Sequence, residues 1–432
     1  MGQMHPSPDI PAVNLDRVMP FLLAGGRGSR LHELTDALCK PALPVLRGPD
    51  GHVVRMVDFT LANLYRTGLP RVMAATCYRP AALIRHLDTA WAAGFPQGLQ
   101  IFDGAKVAPR TGYLGTCDAV AANLAALTQF DPHEVLLLSG DHVYEMDYRP
   151  MIAAHRASGA AVTLAVTRVP IAEARAFGVV EAATDGMVQD FAEKPAMPKP
   201  CPDDTQRALA SIGVYVASWN WLREALRACP PDADFGHDLL PMAVRTGVVG
   251  WFALPARPGR SEPFWRDVGS LNSLRETMLA FSQDTPPCTV PTSPQTKPAI
   301  VSLHASRLEP SYGALQYGFS CAVGGLTLRA PRLGASNGRR WTVIEDSLLL
   351  PGARPAPGVR LTRAIIGPDT VLPAGLVLGE DLDEDGRWFR CTADGTVLVT
   401  SAMLARRGAE RPRWISLSRR TTAEAGALAT QV

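Results

Sequence analysis

A chain of 432 residues with 43 basic and 41 acidic side chains carries a formal net charge of +2. That balance gives no drive toward nucleic acid or an anionic membrane surface, and no basic stripe with interleaved aromatics is present. No apolar run reaches the roughly 18 residues of a membrane span, and the opening MGQMHPSPDIPAVNLDR lacks the pattern of a secretory leader. Met-Gly opens the chain, but Pro6 stands where a myristoylation signal has Ser or Thr. The eight cysteines are scattered without a C-x-x-C pair, which argues against a zinc site and for free thiols in a reducing cytoplasm.

Residues 1–17 read as an N-terminal extension. From 18 to about 280, short apolar runs alternate with segments of helical periodicity. Strands are predicted at 18–24 (VMPFLLA), 71–76 (RVMAAT), 135–140 (VLLLSG), 161–167 (AVTLAVT) and 211–217 (SIGVYVA). Helical spacing joins Val57, Leu61, Leu64 and Tyr65, and recurs over 117–128 and 147–157. This alternation predicts an α/β fold, a Rossmann-like, mostly parallel sheet covered on both faces, with ligands at the carboxyl ends of the strands. The segment FSQDTPPCTVPTSPQTKPA is rich in Pro, Thr and Ser and reads as a linker over 281–300. In the following domain, 301–403, Ala353, Val359, Ile365, Val371 and Val377 recur every six positions. That period predicts a small left-handed parallel β-helix, each coil burying one such residue in a stacked column. Residues 404–432, with Arg406, Arg407, Arg411, Arg413, Arg419 and Arg420, read as a basic, flexible tail.

The first strand runs into Gly25, Gly26 and Gly28. Bare glycines let backbone N–H groups point at phosphate oxygens. No Gly-Lys-Ser/Thr follows, so this is not a P-loop, and Leu31 stands where a dinucleotide motif has its third glycine. Alone the loop fits a tight turn as well as a phosphate; Arg30 and Lys40 on the same segment favour a triphosphate, which needs several cations. Asp141 lies just past the apolar run LLLS, and Asp267 lies far away in FWRDVGS. Two carboxylates converging on one cleft suit Mg²⁺, which takes one or two carboxylates plus substrate phosphates. Pro195 predicts a stiff loop holding Lys194 extended, where it can meet a phosphate.

The stretch LAGGRGSRLHELTDALCKPALPV resembles the N-terminal signature of the sugar-1-phosphate nucleotidylyltransferases. The blocks VRMVDFTLANLYRTG, GYLGTCDAVAAN, LSGDHVYEMDY, FGVVE, DFAEKPA, SIGVYV, DFGHDLLP and FWRDVGS follow in the order of one branch, the bacterial ADP-glucose pyrophosphorylases. The resemblance covers roughly residues 18–404 and extends to that family's left-handed β-helix. It implies adenylyl transfer from ATP to glucose 1-phosphate, with Mg²⁺ held by Asp141 and Asp267. Arg30 and the glycine loop would hold the leaving pyrophosphate, while Lys40 and Lys194 offset charge on the nucleotide and sugar-phosphate sides. Glu193 would contact the sugar; Gly178, Ser211, Tyr215, Asp238 and Trp265 would surround the glucose. Tyr113, Gly115 and Thr116 would line the adenine pocket, the glycine letting a flat purine approach the backbone. The resemblance also implies a cytoplasmic homotetramer that serves glycogen or a related α-glucan.

Several positions depart from that pattern. The segment PALPVLRGPDGHVV after Lys40 lacks the family's compact Gly-Gly-Lys loop. Ala37 replaces a basic residue tied to effector binding, Gly112 a Trp, and Cys77 a Gln. Catalysis is therefore expected intact, with weak, altered or absent activation by sugar-phosphate effectors. Arg55 and Arg390 remain as anion-contact candidates. Still open are another base or sugar, such as UDP- or dTDP-glucose, a non-catalytic regulatory paralogue, and, remotely, a hexapeptide-repeat acyltransferase.

Overall fold

A computed structural model describes residues 13–48, 51–283, 285–295, 321–323, 326–328, 343–356 and 358–409. Most of the expected N-terminal extension, the last residues of the linker, most of 301–342 and the tail from 410 lie outside the described residues.

In chain order the N-terminal region supplies β1 (Val18–Leu23), the antiparallel pair β2 (Pro44–Arg47) and β3 (Val53–Arg55), β4 (Val72–Thr76), β5 (Leu99–Asp103), β6 (Glu134–Ser139) and β7 (His142–Tyr144). It continues with β8 (Val162–Pro170), β9 (Gly178–Ala182), β10 (Val188–Glu193), β11 (Arg207–Ser218), β12 (Val249–Ala253) and β13 (Trp265–Asp267). The main sheet runs β10-β9-β11-β6-β1-β4-β5, with β8 beside β11 and β12 beside β8. Strands β1, β4, β5, β6, β8, β9 and β12 share one direction, and β10 and β11 run against them. All five predicted strands are present. Most of those not predicted are short or interrupted by polar residues, as in LQIFD of β5; the wholly apolar VGWFA of β12 is an exception.

Alternation along the central strands feeds two cores. Val18, Leu22, Ala74, Leu136 and Leu138 face Val57, Leu61 and Leu64 of the helix Met56–Thr67. Met19, Phe21, Met73, Ala75, Val135 and Leu137 face Val120, Trp219 and Leu222. Burial on both faces is why these strands read as unbroken apolar runs. The expected helix over 117–128 is broken into Thr116–Ala121 and Leu124–Phe130. At the break the buried Asn123 amide donates to Ala119 O (2.7 Å) and the Tyr113 hydroxyl (3.0 Å).

The C-terminal strands stack in parallel coils, but with a shifted register. Leu348 pairs with Ile365, Arg354 with Val371 and Arg360 with Val377, so each coil is one residue short of three six-residue steps. The strict six-residue column therefore drifts. Ala353, Val359 and Ile365 are buried, Val377 is half-buried, and Val371 is 64% exposed while Leu372 beside it is buried. The stacked column is instead Ile344, Leu361 and Leu378. Residues 401–409 are helical, so regular structure continues past the boundary expected at 404.

A third core joins the two regions. Leu31 and Leu34 behind the glycine loop, Val143 after Asp141, and Val268 after Asp267 pack in one cluster with Leu348, Ile365 and Leu398 of the coils. Arg275, 3% exposed, ties the helix Leu271–Ala280 to the Asp346 carboxylate, to Asp346 O (3.0 Å) and to Thr396 Oγ1 (3.3 Å). Truncating a buried leucine such as Leu348 here should cost about 2–5 kcal/mol.

Candidate active site

The glycine loop leaves β1 and folds back over Lys40. Gly28 sits at φ +69°, and a Cβ there would stand 2.7 Å from Lys40 Cβ, so only glycine fits both the turn and the approach. The Lys40 N–H donates to Gly26 O (3.1 Å), which binds the loop to the short helix Lys40–Ala42.

Lys40 is only 4% exposed, and its Nζ lies 2.9 Å from Asp141 Oδ2 and 2.9 Å from Asp267 Oδ1. The convergence follows from strand pairing: β7 and β13 run antiparallel with Asp267 opposite His142. Ser139 Oγ donates to Asp141 Oδ1 (2.6 Å) and orients that carboxylate. His142 Nδ1 lies 3.0 Å from Ile212 O. A carbonyl only accepts, so Nδ1 carries a proton and Nε2 faces the aspartates at 3.7 and 3.8 Å. Burial alone would pull the Lys40 ammonium down, but the charges of Asp141 and Asp267 outweigh it and hold it above the ordinary lysine value. Burial would raise Asp141; Lys40 and His142 outweigh that and hold it well below the usual carboxylate range. Arg30, exposed at the loop, lies along Gly269: a Cβ there would come within 2.8 Å of its Nη2 and 3.1 Å of Asp267 Oδ2.

Because one ammonium touches both carboxylates, both reach a single cation, and the pair fits a divalent metal. Among the described residues no group of three or more His, Cys, Asp or Glu is arranged to hold an ion. The remaining ligands must come from phosphate and water, which is how Mg²⁺ is commonly bound.

On the other side, Glu193 ends β10 with its carboxylate between two glycines. A Cβ at Gly178 would lie 2.9 Å from Oε2, and one at Gly236 would lie 2.6 Å from it. Lys194 does not take the extended conformation expected before proline. It sits at φ +46°, its N–H tied to Phe177 O (3.0 Å), and its ammonium pairs with Glu193. The tie to Phe177 outweighs a left-handed penalty of about 1–2 kcal/mol; such backbone strain clusters at ligand sites. Trp265, 3% exposed, meets His142 and Phe177 edge to face, at 5.4 and 4.9 Å between ring centroids. Its Nε1 has no hydrogen-bond partner. Tyr215 stacks on Phe235 at 6.0 Å, and burial pushes its phenol up.

The segment expected at the base is latched to the sugar side. Thr116 Oγ1 donates to Asp234 Oδ2 (2.8 Å) and accepts from Phe235 N–H (2.9 Å). The need for glycine at 115 comes from protein packing: a Cβ there would stand 2.4 Å from Ala233 O. The Tyr113 hydroxyl is held by Asn123 (3.0 Å), and burial raises its pKa. Asp238 is exposed and accepts from Asp234 N–H (2.8 Å), while Asp234 caps Gly236 N–H (2.8 Å). Asp234, absent from the sequence-derived site, is thus the aspartate at the junction; its signal was a capping residue directly before FGHD. His142 was also missed, although it adjoins Asp141.

The two anion-contact candidates are engaged elsewhere. Arg55 donates to Ala42 O (2.5 Å), its N–H is capped by Asp58 (2.7 Å), and burial lowers its pKa. Arg390 grips Glu33 with two bonds (2.7 and 2.6 Å), joining the coils to the helix Ser29–Thr35. A cavity of about 200 Å³ lies there, lined also by Arg27, His32 and Asp36. A separate cavity of about 710 Å³, bordered by Val180, Leu209 and Trp251, contains none of the site residues.

The family model Nucleotidyl transferase matches residues 19–284. The chain belongs to this family. A second model, GlmU-like C-terminal hexapeptide, matches 321–399. The glucose-1-phosphate adenylyltransferase of Jannaschia sp. is 36% identical over 90% of this chain and 97% of its own length. Glucose-1-phosphate adenylyltransferase 2 of Alkalilimnicola ehrlichii is 35% identical, over 92% and 97% respectively. The glucose-1-phosphate adenylyltransferase of Rhodopseudomonas palustris is 35% identical over 89% and 96%. Identity of this extent places the chain in the glucose-1-phosphate adenylyltransferase branch of the family, whose members use a divalent metal. No helix among the described residues is long and apolar enough to cross a membrane.

Proposed function

We propose that this chain transfers the adenylyl group of ATP to α-D-glucose 1-phosphate, giving ADP-glucose and pyrophosphate for α-glucan synthesis. The observation that carries this reading is the meeting of Lys40, Asp141 and Asp267 directly under the glycine loop. A phosphate monoester has a second pKa near ~6, so the sugar phosphate is already a nucleophile at neutral pH and needs no general base. One of its oxygens bonds to the α-phosphorus, and the bond from the α-phosphorus to the bridging oxygen of the β-phosphate breaks. The work left for the protein is alignment and neutralisation of charge.

Backbone N–H groups of residues 25–28 and Arg30 hold the departing pyrophosphate. Asp141 and Asp267 hold Mg²⁺, which when bound neutralises charge on the transferring phosphates. Lys194 meets the sugar phosphate and Glu193 a sugar hydroxyl. The unpartnered Trp265 Nε1 supports a polar ligand, because buried polar groups are otherwise paired. The enzyme works as a homotetramer with weak, altered or absent activation by sugar-phosphate effectors, a reading supported by the engagement of Arg55 and Arg390 within the protein.

The test is pyrophosphate release with glucose 1-phosphate and Mg²⁺, comparing ATP with UTP and dTTP, with and without fructose 1,6-bisphosphate, fructose 6-phosphate, pyruvate and AMP. Preference for UTP or dTTP would overturn the adenylyl assignment, and strong activation would overturn the regulatory one.

A further inference from the structure

We propose that Lys40 is the resting occupant of the metal position. Its ammonium holds Asp141 and Asp267 in place of a divalent ion and excludes free metal until a nucleotide draws it onto the phosphates. The inference rests on the adenylyl-transfer reading and assigns that site a loading order.

The geometry is that of a substituted cation. Nζ, itself buried, stands 2.9 Å from one oxygen of each aspartate, so one of the pair's two charges is already offset by the protein. His142 Nε2, at 3.7 and 3.8 Å, is too far to replace it, and Arg30 is exposed, its guanidinium lying along Gly269. A free dication would have to enter beside the ammonium or expel it, and a buried ammonium needs another anion to leave. The lysine stem passes under Gly28, and the Lys40 N–H is bonded to Gly26 O. Phosphates bound by the loop therefore arrive next to that stem. They would supply the anion that accepts the ammonium, leaving Asp141 and Asp267 free to hold a divalent metal. Charge is conserved in the exchange.

The test is Mn²⁺ retention by the full chain in equilibrium dialysis, for wild type and Lys40→Met, with and without a non-hydrolysable α,β-methylene ATP analogue. Without nucleotide, Lys40→Met should retain Mn²⁺ at least tenfold more tightly than wild type. Its melting temperature should also rise on Mn²⁺ addition where that of wild type does not. With the analogue present, wild type should gain Mn²⁺ and the gap should close. If Lys40→Met does not fold, Lys40→Gln is held to the same criterion. Equal or weaker retention by the variant without nucleotide overturns the proposal. Failure of both proteins to bind Mn²⁺ even with the analogue overturns the underlying reading, and the proposal with it.

Discussion

The phosphate half and the sugar half of the candidate site are built on opposite terms. In the first, Lys40, Asp141 and Asp267 satisfy one another inside the protein, on segments anchored in the core shared with the coils. In the second, Lys194 is half in solvent at a hairpin end, and Trp265 holds a buried N–H with no partner. A ligand entering the first half must replace bonds; a ligand entering the second completes them. The phosphate half should therefore govern turnover, and the sugar half substrate affinity.

The sharpest attempt to break this contrast is Asp141→Asn. It should lower kcat about 10²–10³-fold, the scale of losing one electrostatic contact to a transition state, read as pyrophosphate release. Unchanged Mg²⁺-dependent turnover would sink the metal assignment. Lys194→Ala should raise the KM for glucose 1-phosphate by about one to two decades, the worth of a charged hydrogen bond. The KM for ATP should move much less, and the reverse pattern would exchange the two halves. Asp234→Ala removes both a cap and the latch to Thr116, costing about 0.5–2 kcal/mol of stability, read by denaturant unfolding. If the latch couples the halves, the KM values of both substrates rise together; a rise in only one shows that they bind independently.

A pH prediction concerns the sheet beneath both halves. His155 is buried between Thr163 Oγ1 (2.8 Å) and Ser218 Oγ (3.1 Å), and burial holds its imidazole below the ordinary value. A group depressed on folding contributes fully above its unfolded pKa of about 6.5 and loses that contribution as pH falls toward the folded value. Stability should fall below about pH 6.5 by up to ~1.4 kcal/mol per pH unit, and His155→Gln should flatten that slope. The smallest effect is expected for Arg390→Ala. Its ion pair with Glu33 is exposed and worth at most about 1 kcal/mol, so a large drop in melting temperature would show that it does more than join two surfaces.

Much of this was legible beforehand because burial writes directly into residue type. VMPFLL and EVLLLS are strands covered on both faces, and burial on both sides is what such continuous apolar runs record. The chemistry of Gly28, Lys40, Asp141 and Asp267 was legible too, as residue types suited to phosphate and metal. Their arrangement was not. That the Lys40 ammonium sits between the two aspartates could not be read from the sequence. The packing of Gly115 against Ala233 O could not be read from the sequence. Lys194 was expected to be extended and is left-handed, because a long-range bond to Phe177 O outweighs the local preference set by Pro195. Val371 kept the six-residue beat and still faces solvent, because coil register depends on pairing with the previous coil.

The sequence by itself determined the order of the two regions, the strands that carry the sheet and the kinds of charge available to a ligand. These follow from apolar periodicity and side-chain chemistry, which act over a few residues. Only the tertiary structure decided which charges meet. The pairing of β7 with β13 lays Asp267 opposite His142, and Gly28 opens the space for the Lys40 stem. Electrostatics acts through distance in space, and only folding sets that distance.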